Sequence, residues 1–261
     1  MRPFAHCLGE KEIAPPPGGF PSFDPGSDAL LLDIDGTILD IAITPEAVRV
    51  PESLKTSLST LRDRAYGALG LISGRTLSSI DTLFAPLKFA AVACHGAEIR
   101  RSPDADVLRD GDPLSEAGRA RFAQIGELDP RIRVEDKRYT VAIHFRRVRE
   151  LEPAIAELVD QRLAVSQESL RVLRGKDVIE IESGGFNKGT GLRTIMQSGS
   201  FRGRRPIFFG DDKTDEHAFA VLPEFRGVGI SVGRPLPGAK GCVATPRAVR
   251  HWLAYMAEQP L

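Results

Sequence analysis

The chain has 261 residues, and its 35 lysines and arginines balance 35 aspartates and glutamates, so its formal net charge is zero. Without an excess of positive charge, we expect neither a nucleic-acid partner nor an anionic membrane surface as a partner. Three scattered cysteines, Cys7, Cys94 and Cys242, argue against a disulfide scaffold or structural zinc and favour a reducing compartment.

The first 25 residues predict a flexible tail. Three consecutive prolines at 15–17 and several charged residues interrupt this segment, and it lacks the apolar core of a signal peptide. No apolar run in the sequence approaches the ~20 residues needed to cross a bilayer. We therefore expect a cytoplasmic protein. We also expect it to act as a monomer.

The first predicted strand, 30–34, leads into two acidic residues. Asp33 and Asp35 stand two positions apart, and Gly36 and Thr37 close the turn. Two carboxylates at this spacing repel each other unless a cation lies between them, and hard divalent cations take oxygen ligands. An ordinary Asp-Gly turn is the alternative interpretation.

Helix and strand patterns then alternate, with helix 51–64, strand 68–72, helix 77–84 and strand 89–94. The second strand ends at Ser73, which Gly74 and Arg75 follow. A small hydroxyl beside glycine at a strand end is suited to hydrogen-bonding a phosphate oxygen, although a simple turn serine is the alternative.

The pattern changes between about residues 109 and 183. Two predicted strands, 131–134 and 140–146, precede a helix at 151–163, and strands 171–173 and 178–181 follow it. This arrangement predicts an antiparallel sheet with helices on one face. We interpret 107–185 as a smaller α+β domain inserted into the first one.

The alternation resumes after residue 186, with helix 188–197, strand 207–209, helix 214–222, strand 227–232 and a last helix after Pro246. It predicts an α/β fold in which a Rossmann-like parallel sheet, formed by 26–106 and 186–261, is covered on both sides. Ligands bind such sheets beyond the carboxyl ends of the strands. Lys188 begins one of these helices and is suited to pairing with phosphate, with a solvated surface lysine as the alternative.

A second acidic cluster follows the strand at 207–209. Asp211, Asp212, Asp215 and Glu216 lie within six residues. One acid is enough to cap a helix, whereas crowded carboxylates at a strand end require a compensating cation. The cluster therefore favours metal binding over capping.

In chain order, these segments resemble the four motifs of the haloacid dehalogenase superfamily of phosphatases. The segments are Leu-Asp-Ile-Asp-Gly-Thr-Ile at 32–38, Ser-Gly-Arg at 73–75, Asn-Lys-Gly at 187–189 and Gly-Asp-Asp-Lys-Thr-Asp-Glu at 210–216. His-Gly-Ala-Glu at 95–98 and Val-Glu-Asp-Lys at 134–137 are similar to the trehalose-6-phosphate phosphatase branch. The resemblance runs from about Asp33 to Glu216, so it covers nearly the whole chain except the tail.

The resemblance implies Mg²⁺-dependent hydrolysis of trehalose 6-phosphate to trehalose and phosphate, in a haloacid dehalogenase core with a cap domain. It implies that Asp33 is the nucleophile and that Asp35 is the general acid and base. Ser73 and Lys188 would stabilise the transferring oxygens. Asp33, the backbone carbonyl of Asp35 and Asp211 would hold the metal ion.

The resemblance also implies a set of substrate-binding and supporting residues near the reacting phosphate and on the cap. They are Gly36, Thr37, Arg75, His95, Glu135, Lys137, Glu180, Asp212 and Asp215, the last two orienting the metal site. Two alternatives stay open: a different sugar phosphate as the substrate, such as sucrose 6-phosphate, and a catalytically silent regulatory module. The intact repulsive acid pair argues against the silent module.

Overall fold

A computed structural model of the protein describes residues 19–41, 48–109, 111–175 and 177–259. The strands are β1 (Asp28–Leu32), β2 (Leu69–Ile72), β3 (Ala90–Ala93), β4 (Glu98–Arg100), β5 (Val107–Arg109), β6 (Arg133–Asp136), β7 (Thr140–His144), β8 (Leu170–Gly175), β9 (Val178–Ser183), β10 (Arg205–Gly210), β11 (Val228–Val232) and β12 (Gly241–Val243). The helices are α1 (Glu52–Arg64), α2 (Leu77–Phe84), α3 (Glu116–Ala123), α4 (Glu152–Ala164), α5 (Lys188–Met196), α6 (Glu216–Val221) and α7 (Pro246–Glu258).

The larger sheet has the strand order β12-β11-β10-β1-β2-β3-β4-β5. The pairings from β12 to β3 are parallel, and β4 and β5 extend the sheet antiparallel. All five residues of β1 are buried, as expected for a strand in the middle of a sheet that helices cover. The carboxyl ends of β1, β2 and β10 therefore meet at one edge, as the sequence predicted.

Three short strands of this sheet were not predicted. β4, β5 and β12 have three residues each, which is too short for a clear hydrophobic pattern. β5 had been assigned to the inserted domain, but it pairs with β4 and so extends the large sheet. The strand expected at 30–34 also ends earlier, at Leu32, which leaves Asp33 just beyond it.

The smaller sheet is antiparallel, with the strand order β6-β7-β9-β8. Helices α3 and α4 pack on one of its faces, where Phe122 and Val159 join the apolar side chains of β7 and β9 in one buried cluster. Side chains alternate between the two faces of a strand, so Ala142 and its cross-strand partner Glu180 lie on the opposite face. That polar face points towards the edge of the large sheet, and we call this sheet with its two helices the cap.

The expected tail is partly packed against the large domain. Phe20 stacks on Trp252 with ring centroids 5.7 Å apart, and Phe23 meets the same indole edge-on at 6.3 Å. Burial of aromatic surface accounts for this packing. Residues 1–18, including Cys7, lie outside the described residues. Among the helices that the structure describes, none is long and apolar enough to cross a membrane.

Candidate active site

A cavity of about 960 Å³ lies between the edge of the large sheet and the polar face of the cap. Asp33 follows β1, Ser73 follows β2 and Asp211 follows β10, and all three line this cavity. Most of the predicted site residues line it too: Asp35, Arg75, His95, Glu135, Lys137, Glu180, Lys188 and Asp212. The fold therefore brings together groups that are far apart in the sequence.

Lys188 connects two carboxylates at the base of the cavity. Its Nζ donates hydrogen bonds to Oδ1 of Asp33 at 2.8 Å and to Oδ1 of Asp215 at 2.7 Å. Asn187 caps helix α5 and fixes the backbone from which Lys188 extends. Burial favours a neutral amine, but the two carboxylates outweigh it, so the pKa of Lys188 is raised and the side chain stays charged.

Three acidic side chains crowd around this lysine. Asp33, Asp211 and Asp215 each place an oxygen within 4.8 Å of the others. Burial, opposed by Lys188, raises the pKa of Asp33 to about 7. Burial and the nearby Asp33 raise the pKa of Asp211 to about 9. One lysine does not balance three carboxylates, so this cluster of oxygen ligands fits a hard divalent cation.

Thr37 and Asp215 hold the acidic loop in place. The Thr37 hydroxyl lies 2.9 Å from Oδ2 of Asp33 and 3.3 Å from Oδ1 of Asp211. Oδ2 of Asp215 accepts the backbone N–H groups of Asp211 and Asp212, each at 3.0 Å. Asp215 is completely buried, so it orients the loop from behind, whereas Asp212 lines the cavity.

Arg75 lies on the cavity wall, but its guanidinium is directed at Asp35. Nε and Nη2 donate two hydrogen bonds of 2.6 Å to the two carboxylate oxygens of Asp35. Ser73 Oγ accepts the backbone N–H of Arg75 at 3.2 Å. The Asp35 side chain therefore points to Arg75 and lies outside the cluster of three acids.

Glu180 joins the cap to the core. Its carboxylate accepts a hydrogen bond from Lys137 Nζ at 2.8 Å and lies 3.0 Å from Nε2 of His95, a residue that follows β3. Lys137 Nζ also donates to the carbonyl of Gly74 at 3.2 Å. Burial alone would raise the pKa of Glu180, but Lys137 and His95 hold it well below its usual value. This ionic cluster keeps the cap seated over the sheet edge.

Comparison with known proteins decides the family. The family model described as trehalose-phosphatase matches residues 31–241. A probable trehalose-phosphate phosphatase from Sinorhizobium fredii is 36% identical over 88% of this chain and 87% of its own length. Trehalose-6-phosphate phosphatase from Escherichia coli is 32% identical, over 86% of this chain and 85% of its own length. The chain belongs to the trehalose-phosphatase family.

The trehalose-phosphatase family comprises phosphoric monoester hydrolases, so the predicted family and enzyme class are both confirmed. Solved structures confirm the fold. The C-terminal domain of trehalose-6-phosphate phosphatase from Candida albicans matches with a TM-score of 0.79 at 20% identity, covering 94% of this chain and all of that chain. A phosphatase of the haloalkanoate (HAD) enzyme superfamily from Bacteroides thetaiotaomicron matches at 17% identity with a TM-score of 0.57. This match covers 91% of this chain and 99% of that chain.

Two residues that line the cavity, His144 and Arg133, were not predicted as site residues. Nε2 of His144 lies 3.3 Å from Oε2 of Glu135 at the cavity wall. Arg133 is the cross-strand partner of His144 and lines the same wall. The alternation of side chains along β7 could have identified His144. It stands two residues from Ala142, the cross-strand partner of Glu180, and so lies on the same face of the sheet as Glu180.

Gly36 allows the close approach of the two acidic loops. Its φ is +83°, and an added Cβ would lie 2.0 Å from Oδ2 of Asp211. We expect Gly36→Ala to displace Asp211, to lower phosphatase activity sharply and to destabilise the fold by more than the ~1–3 kcal/mol of backbone strain alone. Gly203→Ala is the matched control, because φ is +79° there and nothing lies within 4 Å. Thermal denaturation measures the stability of both variants. An equal loss of stability in Gly36→Ala and Gly203→Ala would contradict this prediction.

Proposed function

We propose that the protein hydrolyses trehalose 6-phosphate to trehalose and inorganic phosphate. The observation that carries the proposal is the buried Asp33–Lys188–Asp215 array at the base of a cavity roofed by polar side chains of the cap. Its volume of about 960 Å³ suits a small-molecule substrate. The choice of trehalose 6-phosphate rests on the names of the relatives, whereas the geometry of the site supports phosphoryl transfer.

In the first half of the reaction, an Asp33 carboxylate oxygen attacks phosphorus and the bond from phosphorus to the sugar oxygen breaks. Asp35 gives its proton to the departing sugar oxygen. In the second half, water attacks the phosphorus of the aspartyl-phosphate and the bond to Asp33 breaks. Asp35 takes the proton from that water, so its protonation state is restored at the end of the cycle.

Lys188 and Ser73 stabilise negative charge on the transferring group. Lys188 already lies 2.8 Å from the nucleophilic carboxylate, and its buried ammonium stays charged. Ser73 is buried just after β2 and lines the cavity. Preorganised donors of this kind act strongly in a site that excludes water.

The acidic cluster fits Mg²⁺, because its ligands are carboxylate oxygens whose mutual repulsion a divalent cation relieves. The side chains of Asp33 and Asp211, with the backbone carbonyl of Asp35, would hold it. A bound Mg²⁺ shields the charge of the phosphate from that of the nucleophile.

Removal of the metal ion gives a direct test. We expect a chelator to abolish phosphate release and Mg²⁺ to restore it. Mg²⁺ is also expected to raise the melting temperature of the unchanged protein, because it binds the folded state, and to do so much less in Asp211→Asn. Asp63→Asn, at an exposed helix position, is the control and should respond like the unchanged protein. Full turnover in the chelator would contradict the metal requirement.

The cap residues select the sugar. Glu135, Lys137 and Glu180 of the cap place carboxylate and ammonium groups on the cavity wall, and His95 of the large domain adds an imidazole; such groups suit the hydroxyls of the distal glucose unit. A buried polar group left without its partner is costly, so a substrate that lacks matching hydroxyls binds poorly.

A substrate panel tests the proposed function. We expect phosphate release from trehalose 6-phosphate to exceed release from sucrose 6-phosphate and glucose 6-phosphate in kcat/KM. Preference for either of the other two esters would show that the cap recognises a different sugar. No release from any of the three would instead support a catalytically silent module.

A further inference from the structure

The contact between Arg75 and Asp35 is unusual for a side chain expected to bind substrate. A guanidinium has five N–H donors, and Arg75 uses its Nε–H and one Nη2–H on Asp35, both at 2.6 Å. Nη1 lies 3.4 Å from the hydroxyl of Ser79. The Arg75 side chain is only 11% exposed. The guanidinium is thus already paired with Asp35 through Nε and Nη2 and lies close to Ser79 through Nη1.

The backbone around Arg75 is fixed at both ends. Its N–H donates to Ser73 Oγ, and its carbonyl accepts the N–H of Cys94 at 2.8 Å. Thr76 then caps helix α2, and Ser79 lies in the first turn of that helix. Because backbone and side chain are both held, the position of the guanidinium is set before any substrate arrives.

The Asp35 backbone forms a bridge with Leu39, but its side chain has no support other than Arg75 among the described contacts. Asp35 belongs to the turn after β1, its side chain is 36% exposed, and its described side-chain hydrogen bonds all go to Arg75. A carboxylate with this exposure would sample several rotamers, and ordering a side chain costs free energy. The two-point contact with Arg75 selects one orientation, which a single contact with a lysine does not do.

We propose that Arg75 is a positioning residue that aims the carboxyl group of Asp35 at the oxygen that leaves and at the water that attacks. The proposal rests on the proposed function, in which Asp35 transfers a proton in both halves of the reaction. A small misplacement of a catalytic group costs about 10²-fold in rate. Each carboxylate oxygen keeps a further lone pair, so Arg75 orients Asp35 without blocking proton transfer.

Two substrates separate positioning from binding. The sugar oxygen of trehalose 6-phosphate is a poor leaving group and needs a proton from Asp35, whereas p-nitrophenolate leaves from p-nitrophenyl phosphate without one. We expect Arg75→Met to lower kcat for trehalose 6-phosphate by about 10²-fold with a small change in KM. In single-turnover mixing with enzyme in excess, release of p-nitrophenolate should stay close to that of the unchanged protein.

The conservative variant and a distant ion pair complete the experiment. Arg75→Lys keeps the charge but not the fork, so we expect it to recover little of the lost kcat. Arg193→Met breaks a similar 2.6 Å ion pair with Glu224 on the exposed surface, and it should leave both reactions unchanged.

If Arg75→Met lost activity equally with both substrates and had a raised KM, Arg75 would bind phosphate and the proposal would be overturned. An unchanged kcat for trehalose 6-phosphate in Arg75→Met would also overturn it. Failure of the proposed function is seen separately, because trehalose 6-phosphate would then not be turned over by the unchanged protein.

Discussion

Asp33→Asn is expected to lower the turnover of trehalose 6-phosphate by at least about 10⁴-fold, because the amide oxygen does not form the acyl phosphate. The carboxylate that it replaces lies buried, 2.8 Å from Lys188, at the carboxyl end of the central strand. A phosphate-release assay at saturating substrate measures the loss. Turnover close to that of the unchanged protein would refute Asp33 as the nucleophile.

The same variant should keep its stability when Mg²⁺ is left out. Burial, Asp215 and Asp35 together outweigh Lys188 and raise the pKa of Asp33 to about 7. The folded state disfavours the charged form of an acid whose pKa is higher in the folded than in the unfolded chain. Such an acid therefore lowers the stability of the fold once the pH rises above the pKa that it has in the unfolded chain. The neutral asparagine avoids this cost. We therefore expect a melting temperature at pH 8 that is equal to or above that of the unchanged protein.

Lys188→Met is expected to damage both activity and stability. Without the ammonium, the buried carboxylates of Asp33 and Asp215 face each other with no compensating charge. Breaking a buried ion pair on one side typically costs about 3–5 kcal/mol in the free energy of unfolding. Loss of a charge-stabilising donor also lowers the rate by about 10²–10³-fold. Urea denaturation and phosphate release measure the two effects.

Two further variants make the Lys188 prediction sharper. Lys213→Met removes an exposed lysine that lines the same cavity, and we expect little change in stability. Lys188→Arg restores the positive charge and should recover part of the lost stability. If Lys188→Met and Lys213→Met unfold at the same urea concentration, the buried array does not depend on Lys188.

Some parts of the site could be predicted because their signal is local. The apolar run before Asp33 and the one before Asp211 place both acids at strand ends, and parallel pairing then brings β1 beside β10. The capping sequence at Asn187 similarly fixes where Lys188 starts its helix. These inferences depend on neighbours within a few residues, which the sequence contains.

Other parts depended on distant packing. Arg75, for which substrate binding stays a prediction, pairs with Asp35, 40 residues away. Glu180 and His95 are 85 residues apart and meet because the cap sits on the sheet edge. Hydrophobic periodicity specifies which face a side chain takes, but not which opposing group it meets.

Local spacing and composition were enough to predict the alternating strands and helices, the antiparallel strands in the middle of the chain and the order of the acidic, hydroxyl and lysine motifs. Local patterns did not specify which charges pair, how Phe20 packs, or that β5 joins the large sheet. Ion pairs and short edge strands depend on the register and docking of whole elements, and packing across the molecule sets both.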